Sequence, residues 1–177
     1  MHTGLLHLHN LLRWVVLIAG VIAVVRAQRA LSGNSPYARG PGMIFVMALH
    51  TQLLIGLALY FGTSGYVASF LAAPGASMKD AVLRFFGMEH LVMMLAAIVV
   101  GTIGSAKARR GADDGAKNRA ARTFFAVALV LLLAGIPWPF RAVGAGRAWL
   151  PGMKPAAMTT APATTTGTAP STPLPPG

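Results

Sequence analysis

Four long apolar runs, separated by short basic gaps, decide what this chain can fold into. Each run is close to the roughly 20 residues that a helix needs to cross the hydrocarbon core of a bilayer. Because no water reaches the backbone there, each segment must satisfy its own N–H and C=O groups as a helix. The pattern predicts an all-α integral membrane four-helix bundle within residues 1–141, with helices at about 4–25, 43–61, 85–104 and 124–140.

The composition agrees with a membrane protein. Of the 177 residues, 55% are hydrophobic and only 11% are charged, which is more apolar surface than a soluble chain of this length can hide. The absence of Cys excludes disulfides, thiolate metal sites and thioether-linked haem. The basic residues that give the net charge of +11 lie mainly between the apolar runs, and they form no basic face with interleaved aromatics. We therefore expect lipid and not nucleic acid as the partner.

The basic residues also predict the topology. Arg26, Arg29 and Arg39 follow the first run, and six more follow the third: Lys107, Arg109, Arg110, Lys117, Arg119 and Arg122. The positive-inside rule places these two gaps in the cytoplasm of a bacterium and both termini on the periplasmic side of its inner membrane. No Lys or Arg precedes the first run, so we expect it to be kept as a span and not cleaved as a secretory signal.

The last part of the chain, residues 142–177, has a different composition. From Pro151 onward it consists almost entirely of Pro, Thr, Ala and Gly. Such a sequence cannot build a core. We therefore expect a disordered or extended Pro/Thr-rich tail on the outer side of the membrane.

Several ionisable side chains lie inside the apolar runs. Such groups cost roughly 2.5 to 3.5 kcal/mol each on insertion scales, so they normally face the bundle interior and have partners. Arg13 and Glu89 both lie in the outer halves of their helices, which predicts that they pair. The pair either fixes the register of the helices, or Arg13 binds a haem propionate, a quinone or another acidic headgroup while Glu89 orients a histidine.

Three histidines are candidate ligands of a prosthetic group. At 1.5 Å per residue, His9 and His90 each lie about 8 Å below the outer ends of their helices, whereas His50 lies about 17 Å below. Equal depth predicts His9 and His90 as axial ligands of a b-type haem iron, which His50 reaches only if the second helix is displaced along its axis. The alternatives are histidines that only hydrogen-bond neighbouring helices, a single histidine that binds a bacteriochlorophyll magnesium, or contact with a carotenoid.

The motifs resemble small four-span bacterial membrane proteins of the Bacteroidetes type that are labelled cytochrome b-like. The matching stretches are GLLHLHNLLRW, HTQLLIGLALYF, RFFGMEHLVMMLAAIVVGTIG and IPWPF, which cover all four spans but not the tail. The resemblance implies haem b as cofactor, with His9, His50, Glu89 and His90 as the site residues and Arg13 and Trp14 beside them.

These expectations combine into two candidate functions. The first is a small membrane subunit of an energy-transducing, electron-transfer complex that binds a b-type haem or quinone near the outer face. The second is a non-catalytic accessory subunit of a photosynthetic reaction centre–antenna or respiratory supercomplex, tethered by its tail and contacting pigments or lipids. The chain has no nucleotide-binding glycine pattern, nucleophile elbow or HExxH, so we expect no catalytic activity of its own.

Overall fold

The protein is built around four helices that are long and apolar enough to cross a membrane. The computed structural model describes residues 2–62 and 64–153, and within these ranges it contains helices, turns and loops but no strand. The prediction of an all-α, multi-pass four-helix bundle is therefore confirmed. The first to fourth helices are His2–Ser32, Arg39–Gly62, Ala81–Arg110 and Asp114–Gly135.

The fourth helix starts earlier and ends earlier than its apolar run predicts. Asp113 caps its first turn by accepting a hydrogen bond from the Ala116 N–H at 2.6 Å, so the helix includes a polar first half. At its other end the residue before Pro137 must leave the helical conformation, and Ile136 does so with φ −77° and ψ 131°. The prediction of a helix up to residue 140 was wrong, because Trp138 and Phe140 are apolar but follow the first proline.

The four helices form an antiparallel ring in which each packs against its neighbours in sequence, and the first also packs against the fourth. Small residues allow the close approach. At Gly20 an added Cβ would lie 2.6 Å from Leu129 Cδ2 and 2.8 Å from Phe45 Cε2. Phe45 and Phe125 fill the centre with ring centroids 5.5 Å apart, and both are almost completely buried.

The outer surface of the ring is apolar along all four helices. Large hydrophobic side chains such as Ile18, Ile44, Leu54, Val99 and Val130 are more than half exposed. An apolar surface of this extent is far larger than the patches that soluble monomers show, and acyl chains would cover it. The surface therefore agrees with a protein that contacts the lipid bilayer.

The third helix contains a π-helical turn at Phe85–Glu89, in which the His90 N–H donates to the Phe85 carbonyl. Asp80 caps the start of this helix by accepting from the Val82 and Leu83 N–H groups at 2.8 and 2.9 Å. The preceding connection carries two short helices, Gly65–Ala72 and Pro74–Ser77. Single π turns inside helices are rare and are frequent at functional sites.

After the fourth helix the chain folds back over the end of the bundle. We call residues 136–153 the C-terminal strap. Arg141 Nη1 donates to the Ala134 carbonyl at 2.5 Å and the Ile136 carbonyl at 3.3 Å, which satisfies acceptors at the helix end. Trp138 packs against Trp149 at 5.8 Å between ring centroids. Residues 142–153 of the expected tail thus pack on the bundle because they still carry aromatic and basic side chains, and residues 154–177 lie outside the described part.

Candidate cofactor-binding cavity

A cavity of about 570 Å³ lies at the end of the bundle that the strap covers. Its volume falls in the range of small-molecule sites, which are mostly apolar with a few polar groups that orient the ligand. Apolar and aromatic side chains, with leucine the most frequent, supply most of the wall. The polar lining comes from all parts of the chain that meet at this end and includes His9, Asn10, Arg13, Gln52, His90 and Arg147.

His9 and His90 face one another inside this cavity. Their ring centroids are 6.4 Å apart and the ring planes make an angle of 71°. The two residues come from the first and third helices, which lie across the ring from each other. Gly56 of the second helix leaves room for the His9 ring, since a Cβ there would lie 3.3 Å from His9 Cε1. The structure therefore brings together the two histidines of equal depth, while their role as iron ligands stays a prediction.

His90 is held in one orientation and in one tautomer. Its Nδ1 lies 2.8 Å from the carbonyl oxygen of Gly135, the last residue of the fourth helix. Because a carbonyl only accepts, Nδ1 must carry the proton, and the lone pair of the neutral ring is then on Nε2. Metal-binding histidines almost always have a partner of this kind on the other ring nitrogen.

Three buried polar atoms of the described residues have no hydrogen-bond partner: His9 Nδ1, Arg13 Nε and Gln52 Oε1. Their side chains all line the cavity. An unsatisfied buried donor or acceptor costs about 1 to 3 kcal/mol, so native structures keep few of them. Their concentration around one cavity indicates a ligand that carries polar groups as well as apolar surface.

Arg13 does not pair with Glu89, and that prediction was wrong. Arg13 Nη2 donates to the Trp149 carbonyl of the strap at 2.8 Å, and Trp14 Nε1 donates to the same oxygen at 3.1 Å. Glu89 instead binds Arg84, with 2.6 Å between Oε1 and Nε. The π turn explains the change, because its wider spacing brings residues five apart onto one side of the helix.

The rings of Trp14 and Trp138 lie 5.3 and 5.6 Å from Arg13 Cζ, within cation–π distance. The guanidinium is therefore held at the cavity edge by two aromatic rings and a carbonyl. Among its described contacts it has no carboxylate within ion-pair distance. It keeps its full charge for an acidic group of a ligand.

Arg147 is a cavity residue that the sequence reasoning missed. Its Cζ lies 4.4 Å from the Phe86 ring centroid and 6.0 Å from that of Tyr66. Arg147 falls within residues 142–177, which the sequence predicts to be a tail, and it was therefore given no role at the cavity. A signal was present, since Arg147 and Trp149 stand close together in a segment that otherwise consists mostly of small or apolar residues.

The structure does not bring His50 to the other two histidines. His50 is exposed on the outer surface of the second helix, and its Nδ1 lies 2.8 Å from the Val46 carbonyl of its own helix. Glu89 is likewise absent from the cavity wall as described. Of the five candidate site residues, His9, His90 and Arg13 share the cavity.

Among the histidines that line the cavity, His9 and His90 face each other, and His2 also lines it. The described residues contain no cluster of three or more His, Cys, Asp or Glu side chains suited to a metal ion. A haem needs no such cluster, because its macrocycle supplies the equatorial ligands and the protein adds only axial ones. The histidine pair fits this requirement.

Comparison with known proteins adds no relative: no family model, no curated protein and no solved structure matches the chain. The fold and the cavity define the class, a multi-pass α-helical membrane protein with an internal, largely apolar cavity at one end.

Proposed function

We propose that the protein is a small integral membrane subunit of an electron-transfer complex and that it binds a b-type haem in the cavity, with His9 and His90 as axial ligands. The observation that carries the proposal is the pair of facing imidazoles, 6.4 Å apart, within a cavity of about 570 Å³. The distribution of basic residues supports placing this end on the periplasmic face of a bacterial inner membrane.

The spacing of the rings supports shared ligation. Imidazole nitrogens bind metals at about 2.0 Å, so two imidazoles that both held one iron would have ring centres about 6 Å apart. The observed separation agrees with this value without any displacement of the helices. His50 could join only through a rearrangement, because it lies on the outer surface of the bundle.

The surrounding residues have separate tasks in this proposal. The Gly135 carbonyl keeps the proton of His90 on Nδ1 and leaves Nε2 as the ligand atom. Arg13 and Arg147 at the cavity edge would bind two carboxylates, which matches the propionates of a haem. The apolar wall excludes water and so influences the reduction potential. Bound haem would supply one-electron chemistry, while the protein supplies position and electrostatics.

A quinone is the second candidate, and the unpaired polar atoms favour it. Arg13 Nε is a donor suited to a quinone carbonyl, and Gln52 Oε1 is an acceptor suited to a quinol hydroxyl. A quinone would use both atoms, whereas axial ligation uses neither.

Absorption spectroscopy separates the two candidates. We expect protein purified in mild detergent from haem-sufficient cells to show a Soret band and a positive pyridine haemochrome assay. His9→Ala and His90→Ala should each lose the bound haem, whereas the matched control His50→Ala should keep it.

A native preparation without a Soret band, but with quinone in its organic extract, would replace the haem with a quinone. Loss of haem in the His50→Ala control to the same extent as in the other two variants would contradict the assignment of ligands.

A further inference from the structure

The opposite end of the bundle carries a second cavity, of about 260 Å³, between the first, second and fourth helices. Arg26 and Arg29 of the first helix line it together with Tyr37 of the following loop and Asn118 of the fourth helix. We propose that this cavity binds the phosphate headgroup of an anionic phospholipid from the adjacent leaflet. The site is separate from the histidine cavity and does not depend on its ligand.

The charge at this end is strongly positive and is not neutralised by the protein. Two acidic residues are present, Asp113 and Asp114, and both serve the start of the fourth helix. Asp113 is its N-cap, and Asp114 lies 3.5 Å from Lys117. Neither Arg26 nor Arg29 has a described ion-pair partner. The basic residues of this end are Arg26, Arg29, Arg39, Lys107, Arg109, Arg110, Lys117, Arg119 and Arg122.

The cavity has a fixed wall with hydrogen-bond donors. Asn118 is only 2% exposed, and its Nδ2 donates to the Ser35 carbonyl at 3.3 Å, which ties the loop to the fourth helix. Burial raises the pKa of the Tyr37 hydroxyl, and nearby Arg109 and Arg39 act in the opposite direction. Tyr37 therefore keeps its proton and can donate it to a phosphate oxygen in the presence of several guanidinium groups.

The apolar surroundings favour a lipid over a free anion. Ala23, Ala27 and Phe125 form the inner wall of the cavity. Ile22 precedes Arg26 by one helical turn and is 49% exposed, while Ile44 of the second helix is 57% exposed. Acyl chains attached to a headgroup in the cavity would lie along these two residues. Basic pockets between transmembrane helices are known sites for anionic headgroups.

Native mass spectrometry of the full chain tests the proposal. The protein is titrated in detergent with phosphatidylglycerol, and with phosphatidylcholine as the uncharged comparison. We expect phosphatidylglycerol to bind more tightly than phosphatidylcholine. The double variant Arg26→Gln/Arg29→Gln should weaken the binding of phosphatidylglycerol about 25-fold, because each arginine contributes about fivefold. The matched control, Arg110→Gln/Arg119→Gln, removes the same charge at the same end but outside the cavity, and should change affinity less than about twofold.

Three outcomes would overturn the proposal. Equal weakening in both double variants would mean diffuse attraction to the basic surface. Displacement of phosphatidylglycerol by millimolar inorganic phosphate would mean a site for a free anion. If the Arg26/Arg29 variant does not fold, Tyr37→Phe is used instead, and an unchanged affinity there, where we expect a loss of about fivefold, would remove the donor on which the cavity depends.

Discussion

Substitution of Gly135 by Ala tests whether the packing of the third and fourth helices positions His90. A Cβ at residue 135 would lie 2.5 Å from Met94 Cε and 3.0 Å from Met93 Cβ, whereas ordinary contacts begin at 3.4 Å. The end of Met94 can rotate away. Met93 Cβ is fixed to the backbone, so the two helices must separate locally by about 0.4 Å, the difference between 3.0 and 3.4 Å.

The expected cost follows from two opposing effects. Overpacking of a close contact destabilises by about 1 to 3 kcal/mol, whereas replacing a helical Gly by Ala returns up to about 1 kcal/mol. The same displacement lengthens the 2.8 Å hydrogen bond between His90 Nδ1 and the Gly135 carbonyl towards the limit of the normal range. We expect Gly135→Ala to lower the free energy of unfolding by about 1 to 2 kcal/mol and to speed exchange of the His90 Nδ1 proton.

The free energy is measured by reversible unfolding in mixed micelles, and the proton exchange by ¹⁵N NMR of labelled histidine. The matched control is Gly4→Ala, because a Cβ at that helical position meets nothing within 4 Å. It should leave stability unchanged or slightly higher. If Gly135→Ala were as stable as Gly4→Ala and left the His90 proton unaffected, the contact would not position the histidine and the reasoning would be refuted.

Other predictions concern the third helix, the loop and the strap. A double-mutant cycle on Arg84 and Glu89 should give a coupling of only about 0.2 to 1 kcal/mol in the free energy of unfolding, because both side chains are about one-third exposed; a coupling of several kcal/mol would show a buried pair. Burial raises the pKa of Tyr37 above its ordinary value of 10.0, so its contribution to stability is present below pH 10 and is lost as pH rises further. Tyr37→Phe should therefore reduce the loss of stability above pH 10 in unfolding measurements, and an unchanged pH profile would contradict this. Truncation after Arg141 leaves Trp14 and Trp138, the same two tryptophans that remain in the full-length Trp149→Phe variant. We expect acrylamide to quench their fluorescence more strongly in the truncated protein. Equal quenching in the two proteins would mean that the strap does not cover these tryptophans.

Hydropathy predicted the four helices because the cost of burying polar backbone in lipid depends little on sequence detail. The pairing of His9 with His90 could also be predicted, since the rise of a helix is constant and converts residue number into depth. For His50 the structure shows a different reason for its separation, which is its exposed position on the outer surface of the second helix. The depth of each histidine below the end of its helix was therefore the quantity from which the sequence predicted that His9 and His90 lie together.

Rotation about the helix axis could not be predicted in the same way. Arg13 and Glu89 were paired by depth, but the π turn at Phe85–Glu89 shifts the phase of the helix and gives Glu89 a local partner in Arg84. Arg147 and Trp149 stood out in the local composition, but the contact of Arg147 with the cavity could not be predicted from it, because that contact depends on how the chain folds back. Long-range packing of this kind is set by the tertiary structure.

The link between Arg13 and the Trp149 carbonyl joins residues 136 positions apart. At synthesis rates of about 5 to 20 residues per second, the guanidinium leaves the ribosome roughly 7 to 27 seconds before its acceptor. During that interval the guanidinium lacks its carbonyl acceptor, which favours a position near the headgroups until the strap has been synthesised. The edge of the cavity at Arg13 is therefore completed only after residue 149 has been synthesised, late in the translation of the chain.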